Sequence, residues 1–224
     1  MSKIDELEQK MITQGMSDED FAEYQKMLRR VRGNFSKRQH CYTTAIQFPL
    51  QYSDKAIRVI RYGLESFEDD WFSTYTSYLY IGKIYEKASN YKEAFAAYQT
   101  AEKVLGTDHP EYIKDLSKEL MWMKLHLDSF RYSPELENYY ACYMTADDFS
   151  QSLIENEFRL AIVKLVIALH YGNALESKEA FDKAKEISTP GYSGKLSNIF
   201  SRHHYKESFK TTSEAQKFLE NIQI

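Results

Sequence analysis

The sequence predicts an all-α protein, and three observations carry that prediction. Only 8 glycines and 4 prolines occur in 224 residues, too few to supply the turns and bulges of an all-β fold. Strong helix formers, among them Ala, Leu, Glu, Lys, Met and Gln, are plentiful. Apolar residues recur at three- and four-residue spacing along most of the chain, which puts them on one side of a helix. With 43% hydrophobic and 28% charged residues the chain has the composition of an ordered globular protein. Its length allows one sizeable core or several stacked units that share one.

Residues Ile4 to Ile12 make a first short helix that ends before Gly15. Ser17 followed by Asp20 offers a cap for a second helix through Arg32, in which Phe21, Tyr24, Met27, Leu28 and Val31 form one stripe. Its acidic residues come first and its basic ones last, the order that complements a helix dipole. From Arg29 to His40 there are five Arg or Lys and no acid. This run admits a phosphate or acidic-partner patch. A solvated helix end, a Gly33-Asn34 turn and a new helix start explain it more simply, with Val31 and Phe35 as core contacts.

A helix pair follows over CYTTAIQFPLQYSDKAIRVIRYGLESF. Pro49 ends its first helix and Ser53 caps its second, while Ala56, Ile60 and Gly63 give a small, large, small spacing that lets two helices approach closely. Phe67 to Trp71 form a loop in which Asp69 and Asp70 cap the next helix. Tyr78, Ile81, Gly82 and Tyr85 then share one helix face, Ser89-Asn90 makes a turn, and Ala94, Tyr98 and Ala101 recur along a second helix. Gly106 stops that helix, and Pro110 starts one that extends to Leu127, burying Tyr112, Leu116, Leu120, Met123 and Leu127.

Ser133-Pro134 opens a further helix, and Thr145 to Asp148 punctuate the chain after it. A long helix from about Asp148 to Tyr171 is so dense in Ile, Leu and Val after Glu157 that burial on more than one side is expected. Beyond a Gly172-Asn173 turn, Glu179, Ala180, Phe181 and Ala184 echo Glu93, Ala94, Phe95 and Tyr98. Pro190-Gly191 closes this helix, and two short ones, Lys195 to Tyr205 and Ser213 to Ile222, finish the chain.

The pattern over Tyr75 to Leu105 resembles a tetratricopeptide repeat (TPR), whose period is about 34 residues and whose markers are an aromatic, an apolar-Gly pair, a Tyr, then Ala, aromatic and Ala. Cys41 to Phe67 and Glu157 to Ile187 resemble it more weakly. The resemblance implies TPR-like antiparallel helix hairpins stacked into a short right-handed superhelix, in one domain over 1–224. Within that domain, N-terminal helices occupy 1–35, TPR-like hairpins 36–128, divergent hairpins 133–190 and capping helices 191–224. In this family the first helix of each pair lines a concave groove that binds another protein. Positional matching assigns Thr76, Leu79, Lys83, Glu86 and Lys87 to it, and Ile162, Leu165 and Leu169 in the carboxyl-terminal hairpin.

Chemistry is sparsely encoded. No glycine loop of the GxxxxGK or GxGxxG type is present. None of the six histidines forms an i, i+4 pair; adjacent His203 and His204 would point about 100° apart on a helix. His40 and Cys41 are sequence neighbours and so cannot face each other as base and nucleophile. Cys41 and Cys142 are read as buried free thiols in a reducing compartment. No catalytic residue, metal ligand or cofactor is expected.

MSKIDELEQKM lacks an apolar leader segment, and Lys164 interrupts the longest apolar run, so a cytoplasmic location away from membranes is expected. A net charge of −4 argues against nucleic acid and suits a basic protein partner. The 18 tyrosines and 13 phenylalanines fit either the edge of a helical core or a binding face. The expected function is a non-catalytic protein-interaction module. Narrower readings are a cytosolic immunity protein that blocks the basic cleft of a cognate toxin domain, and a secretion chaperone or assembly adaptor that holds an extended segment. The alternative class is a helical enzyme, such as an RNase or a metal-dependent hydrolase.

Overall fold

The computed structural model describes residues 2–68, 70–145, 154–188 and 213–222. These residues form eleven α-helices and one short 3-10 turn, with no strand among them. The helices are α1 (Lys3–Gln14), α2 (Asp18–Arg30), α3 (Asn34–Ala45), α4 (Ser53–Ser66), α5 (Trp71–Lys87), α6 (Tyr91–Leu105), α7 (Pro110–Leu127), α8 (Pro134–Tyr143), α9 (Ile154–His170), α10 (Ala174–Ser188) and α11 (Ser213–Asn221). They divide into two compact units, residues 1–108 and 109–224. The expected helix over Lys195 to Tyr205, as well as Asp69, Asp148, Pro190, His203 and His204, lie outside the described residues.

In unit 1 the helices pack as hairpins, α1 with α2, α3 with α4 and α5 with α6, and α5 touches both helices of the hairpin before it. Reciprocal capping boxes start the first two helices. Ser2 Oγ accepts the Asp5 amide while Asp5 accepts that of Ser2, and Ser17 and Asp20 do the same for α2. Ser53 does not cap α4: it lies within the helix, and Tyr52, the residue before it, makes no side-chain cap bond. A core of Met11, Phe21, Tyr24, Leu28, Tyr42, Ile57, Ile60 and Ile81 joins the hairpins.

Two glycines set the helix spacing. A Cβ on Gly63 would lie 3.0 Å from both Cβ and Sγ of Cys41, and one on Gly82 would lie 2.3 Å from the ring of Tyr98. Tyr98 is fully buried over Gly82, and its hydroxyl donates to Glu86 at 2.8 Å. The small residues of the α5–α6 pair, Ala94 and Ala101, are fully buried as well.

Unit 2 repeats the arrangement. Helix α7 pairs with α8 and α9 with α10, and α9 touches both α7 and α8. With α10 also packed on it, α9 buries Ala161, Ile162, Val163, Leu165 and Val166, while Leu160, Lys164 and Ile167 stay half-buried along one side. Ser133 caps α8 by accepting the Leu136 amide at 3.3 Å, and proline occupies an early position in both α7 and α8. Helix α11 contributes Ala215 and Leu219 to this core and stacks Phe218 on Phe130 at 5.1 Å.

The first helices of three hairpins end alike. Asn90 donates to the Tyr85 carbonyl, Phe130 to Leu125 and Asn173 to Ala168, each at 2.9 Å. The residue before each donor, Ser89, Ser129 or Gly172, has positive φ. This is the Schellman closure, which satisfies the last carbonyls of a helix while reversing the chain.

Candidate functional site

The residues matched to a groove in unit 1 lie on one side of α5. At 100° per residue, Thr76, Leu79, Lys83 and Glu86 form a single stripe, and Phe72 extends it by one turn. Thr76, Leu79, Lys83 and Glu86 are half-buried, and Lys87 is exposed at the helix end. Glu86 is engaged by the Tyr98 hydroxyl, so it buttresses α6 besides bordering the face.

On α3 the same side carries Phe35, Gln39 and, just past the helix, Ile46, all exposed. Phe35 stacks on Phe72 with ring centres 6.3 Å apart, and Trp71 meets Phe72 edge-on at 5.5 Å. Phe35 is 45% and Trp71 39% exposed, so the expectation that Phe35 is a core contact is corrected. The helix start leaves its ring no deeper layer than Phe72. Tyr42 and Tyr80 stack at 5.6 Å and join α3 to α5 further along.

Arg38 positions this aromatic cluster. Its guanidinium is buried and donates to the carbonyls of Phe67 (2.8 Å) and Leu64 (3.4 Å) and to the hydroxyls of Thr74 (2.5 Å) and Ser73 (3.3 Å). One side chain thereby fixes the α4–α5 connection and the first turn of α5. Asp70 caps that turn, accepting the Ser73 amide at 2.7 Å and also the Ser73 hydroxyl. The reading of Arg29 to His40 as wholly solvated therefore fails at Arg38, whereas Arg29, Arg30 and Arg32 are exposed. Those three arginines precede Phe35 by three to six residues, and Glu68, held by Asn34 at 3.2 Å, and Asp70 before Trp71 make the charge at this end of the helix pair mixed.

The positions matched in unit 2 behave differently. Ile162 and Leu165 have no exposed surface, because they lie on the packed side of α9, and so cannot line a groove; Leu160, Lys164 and Ile167 are half-buried along its more open side, and Leu169, at the helix end, is 40% exposed. Phe35, Trp71 and Phe72 were legible only in part, since Phe72 shares the Thr76 and Leu79 stripe but falls at the edge of a stretch read as loop.

The most strongly displaced thiol and imidazole belong to the cores. Burial pushes the Cys41 thiol up to about 12, and it faces Gly63 while neighbouring His40 points to Glu8 at 3.0 Å. Cys142 is half-buried, so only one of the two cysteines is the buried thiol expected of both. Burial likewise lowers His126 to about 4, with Arg159 adding to the effect and Glu214 opposing it. Arg159 and Glu119 form a buried ion pair at 2.6 Å beneath the Trp122 ring.

An open cleft of about 400 Å³ in unit 1 is lined by Phe21, Arg58, Arg61, Tyr62 and Tyr85 among others. There Arg58 is held by Asp18 at 2.6 Å and by the Phe21 ring. Among the described residues no group of three or more His, Cys, Asp or Glu could hold a metal ion, and no helix is long and apolar enough to cross a membrane. The fold and this face define the class as an all-α protein of helical hairpins. No family model, curated protein or solved structure matches the chain.

Proposed function

We propose that this chain is a non-catalytic protein-binding module of TPR-like hairpins, which receives an extended partner segment on the α3–α5 face. The observation that carries this reading is the exposed Phe35–Phe72–Trp71 cluster, which continues along α5 into Thr76, Leu79 and Lys83. Exposed aromatics held rigidly by a buried arginine lose little freedom on binding and offer large contact area. The neighbour pattern agrees with stacked hairpins, since α5 and α9 each touch both helices of the preceding pair.

This face suits the chaperone or adaptor role, in which a segment with apolar and acidic side chains lies against Trp71 and the exposed arginines. The overall charge of −4 favours the immunity reading, in which a basic toxin domain is the partner. The most strongly displaced thiol and imidazole, Cys41 and His126, are buried core groups, which supports a non-catalytic role.

The test is affinity capture from the native host with the wild-type chain and the Phe35→Gln, Trp71→Ala double variant as parallel baits. A partner captured by the first and lost by the second, with melting temperatures within a few degrees, supports the α3–α5 face. Equal capture by both baits removes it. Cleavage of RNA by the purified chain would instead favour the enzyme alternative.

A further inference from the structure

A second exposed aromatic surface lies in unit 2 and does not depend on the α3–α5 face. It forms where the α9–α10 turn meets α8. Tyr132 stacks flat on His170, with ring centres 3.6 Å apart, and Tyr171 meets Tyr132 edge-on at 5.8 Å. Both phenols converge on one carboxylate: Tyr132 donates to Glu137 at 2.7 Å and Tyr171 at 3.0 Å. Tyr171 is 61% and Leu175 69% exposed, more than the other large hydrophobic residues described.

The charge of this surface is mainly acidic. Residues 132–145 and 169–177, which build it, contain Glu135, Glu137 and Glu176 and no Lys or Arg, while Arg131 and Lys178 flank them. Lys124 reaches Glu135 at 3.0 Å, but among the described residues no cation pairs with Glu137 or Glu176. Glu137 is thus oriented by two phenols and pairs with no cation among the described residues, in an aromatic cluster whose Tyr171 is exposed and is followed after a turn by the exposed Leu175. Phenol donors leave a carboxylate free to accept further bonds, and tyrosine faces attract guanidinium and ammonium groups.

We propose that the Tyr132, Glu137, Tyr171 and Leu175 surface docks a basic polypeptide segment, with an arginine or lysine on Glu137 and an apolar side chain against Leu175. The occupant is chosen by charge complementarity. An acidic segment would set its carboxylates against Glu137 and Glu176.

Fluorescence anisotropy of the full chain with a labelled peptide alternating arginine and leucine tests this, with the glutamate-for-arginine peptide as control. Saturable binding of the arginine peptide is expected, weakened at least tenfold in Glu137→Gln and several-fold in Leu175→Ser, and unchanged in Glu220→Gln. If Glu137→Gln lowers the melting temperature, Leu175→Ser carries the test, because its side chain is largely in solvent. Equal binding by wild type and Leu175→Ser, or binding of both peptides alike, overturns the proposal. A dimer in light scattering that dissociates in Leu175→Ser also overturns it and gives the surface to a second copy of the chain.

Discussion

Units 1 and 2 each anchor a later hairpin with a buried arginine, but the two arginines meet different partners. Arg38 of α3 donates to carbonyls and hydroxyls of the α4–α5 connection. Arg159 of α9 pairs with the carboxylate of Glu119 on α7 at 2.6 Å, with both side chains under a tenth exposed. A neutral acceptor left alone costs its own desolvation, whereas an unpaired buried carboxylate costs far more. Arg159→Met is therefore expected to be the most damaging single change, at about 3–5 kcal/mol, and Arg38→Met less so, at about 2 kcal/mol. Denaturant unfolding with hydrogen exchange resolved by unit checks the order. Equal losses would mean that the Glu119 charge is met without Arg159.

The two units also respond to pH in opposite directions. His126 in unit 2 titrates in the fold at about 4, because burial disfavours its charged form, against about 6.5 when unfolded. Its contribution is present above pH 6.5 and is lost as pH falls towards 4, at most about 3 kcal/mol. His40 in unit 1 is raised, chiefly by its hydrogen bond to Glu8. Its contribution is present below the unfolded value and is lost as pH rises through the folded one. Acidification from pH 7 to 5 should thus loosen unit 2 while strengthening the α1–α3 contact in unit 1. Exchange rates in α7 and α9 rising faster than those in α1 and α3 would show it, and His126→Phe should flatten the unit 2 response. Parallel acceleration in both units would contradict this assignment.

Close helix approach in unit 1 can be tested by itself. In unit 1 the ring of Tyr98 occupies the space a Cβ on Gly82 would need. Gly82→Ala should displace that ring and cost about 1–3 kcal/mol by overpacking, as should Ala94→Leu. An unchanged melting temperature in Gly82→Ala would mean that α5 and α6 stand further apart than described.

What the sequence disclosed follows the range of the forces involved. Ser17 with Asp20, Pro110 and Ser133 act within one helical turn of themselves, and each starts a helix where its local pattern says so. Ala94, Tyr98 and Ala101 mark a buried face by spacing alone. Arg38 was hidden because it sits in a basic run, and its partners lie 26 to 36 residues away. Ile162 and Leu165 were misplaced because the partly open side of α9 runs along Leu160, Lys164 and Ile167, and packing by α7, α8 and α10 buries the side that carries Ile162 and Leu165. The unit 2 surface was illegible for the same reason as Arg38, since Tyr132 and Tyr171 meet across 39 residues.

The smallest difference lies in the shared helix ending. Ser89 closes α5 with φ of 58°, and Gly172 closes α9 with φ of 66°, through the same backbone bond. A side chain in the left-handed region meets its own carbonyl, a cost of order 1 kcal/mol that glycine avoids. Exchanging the two residues separates that local cost from everything else the units do differently. Ser89→Gly should raise stability by about 0.5–1 kcal/mol, and Gly172→Ser should lower it by a similar amount. Urea melts of the single and double variants measure this, and the double variant should return close to wild type because the two effects are local and opposite in sign. A loss of stability in Ser89→Gly would mean that the serine side chain, and not the backbone bond, holds the α5–α6 turn.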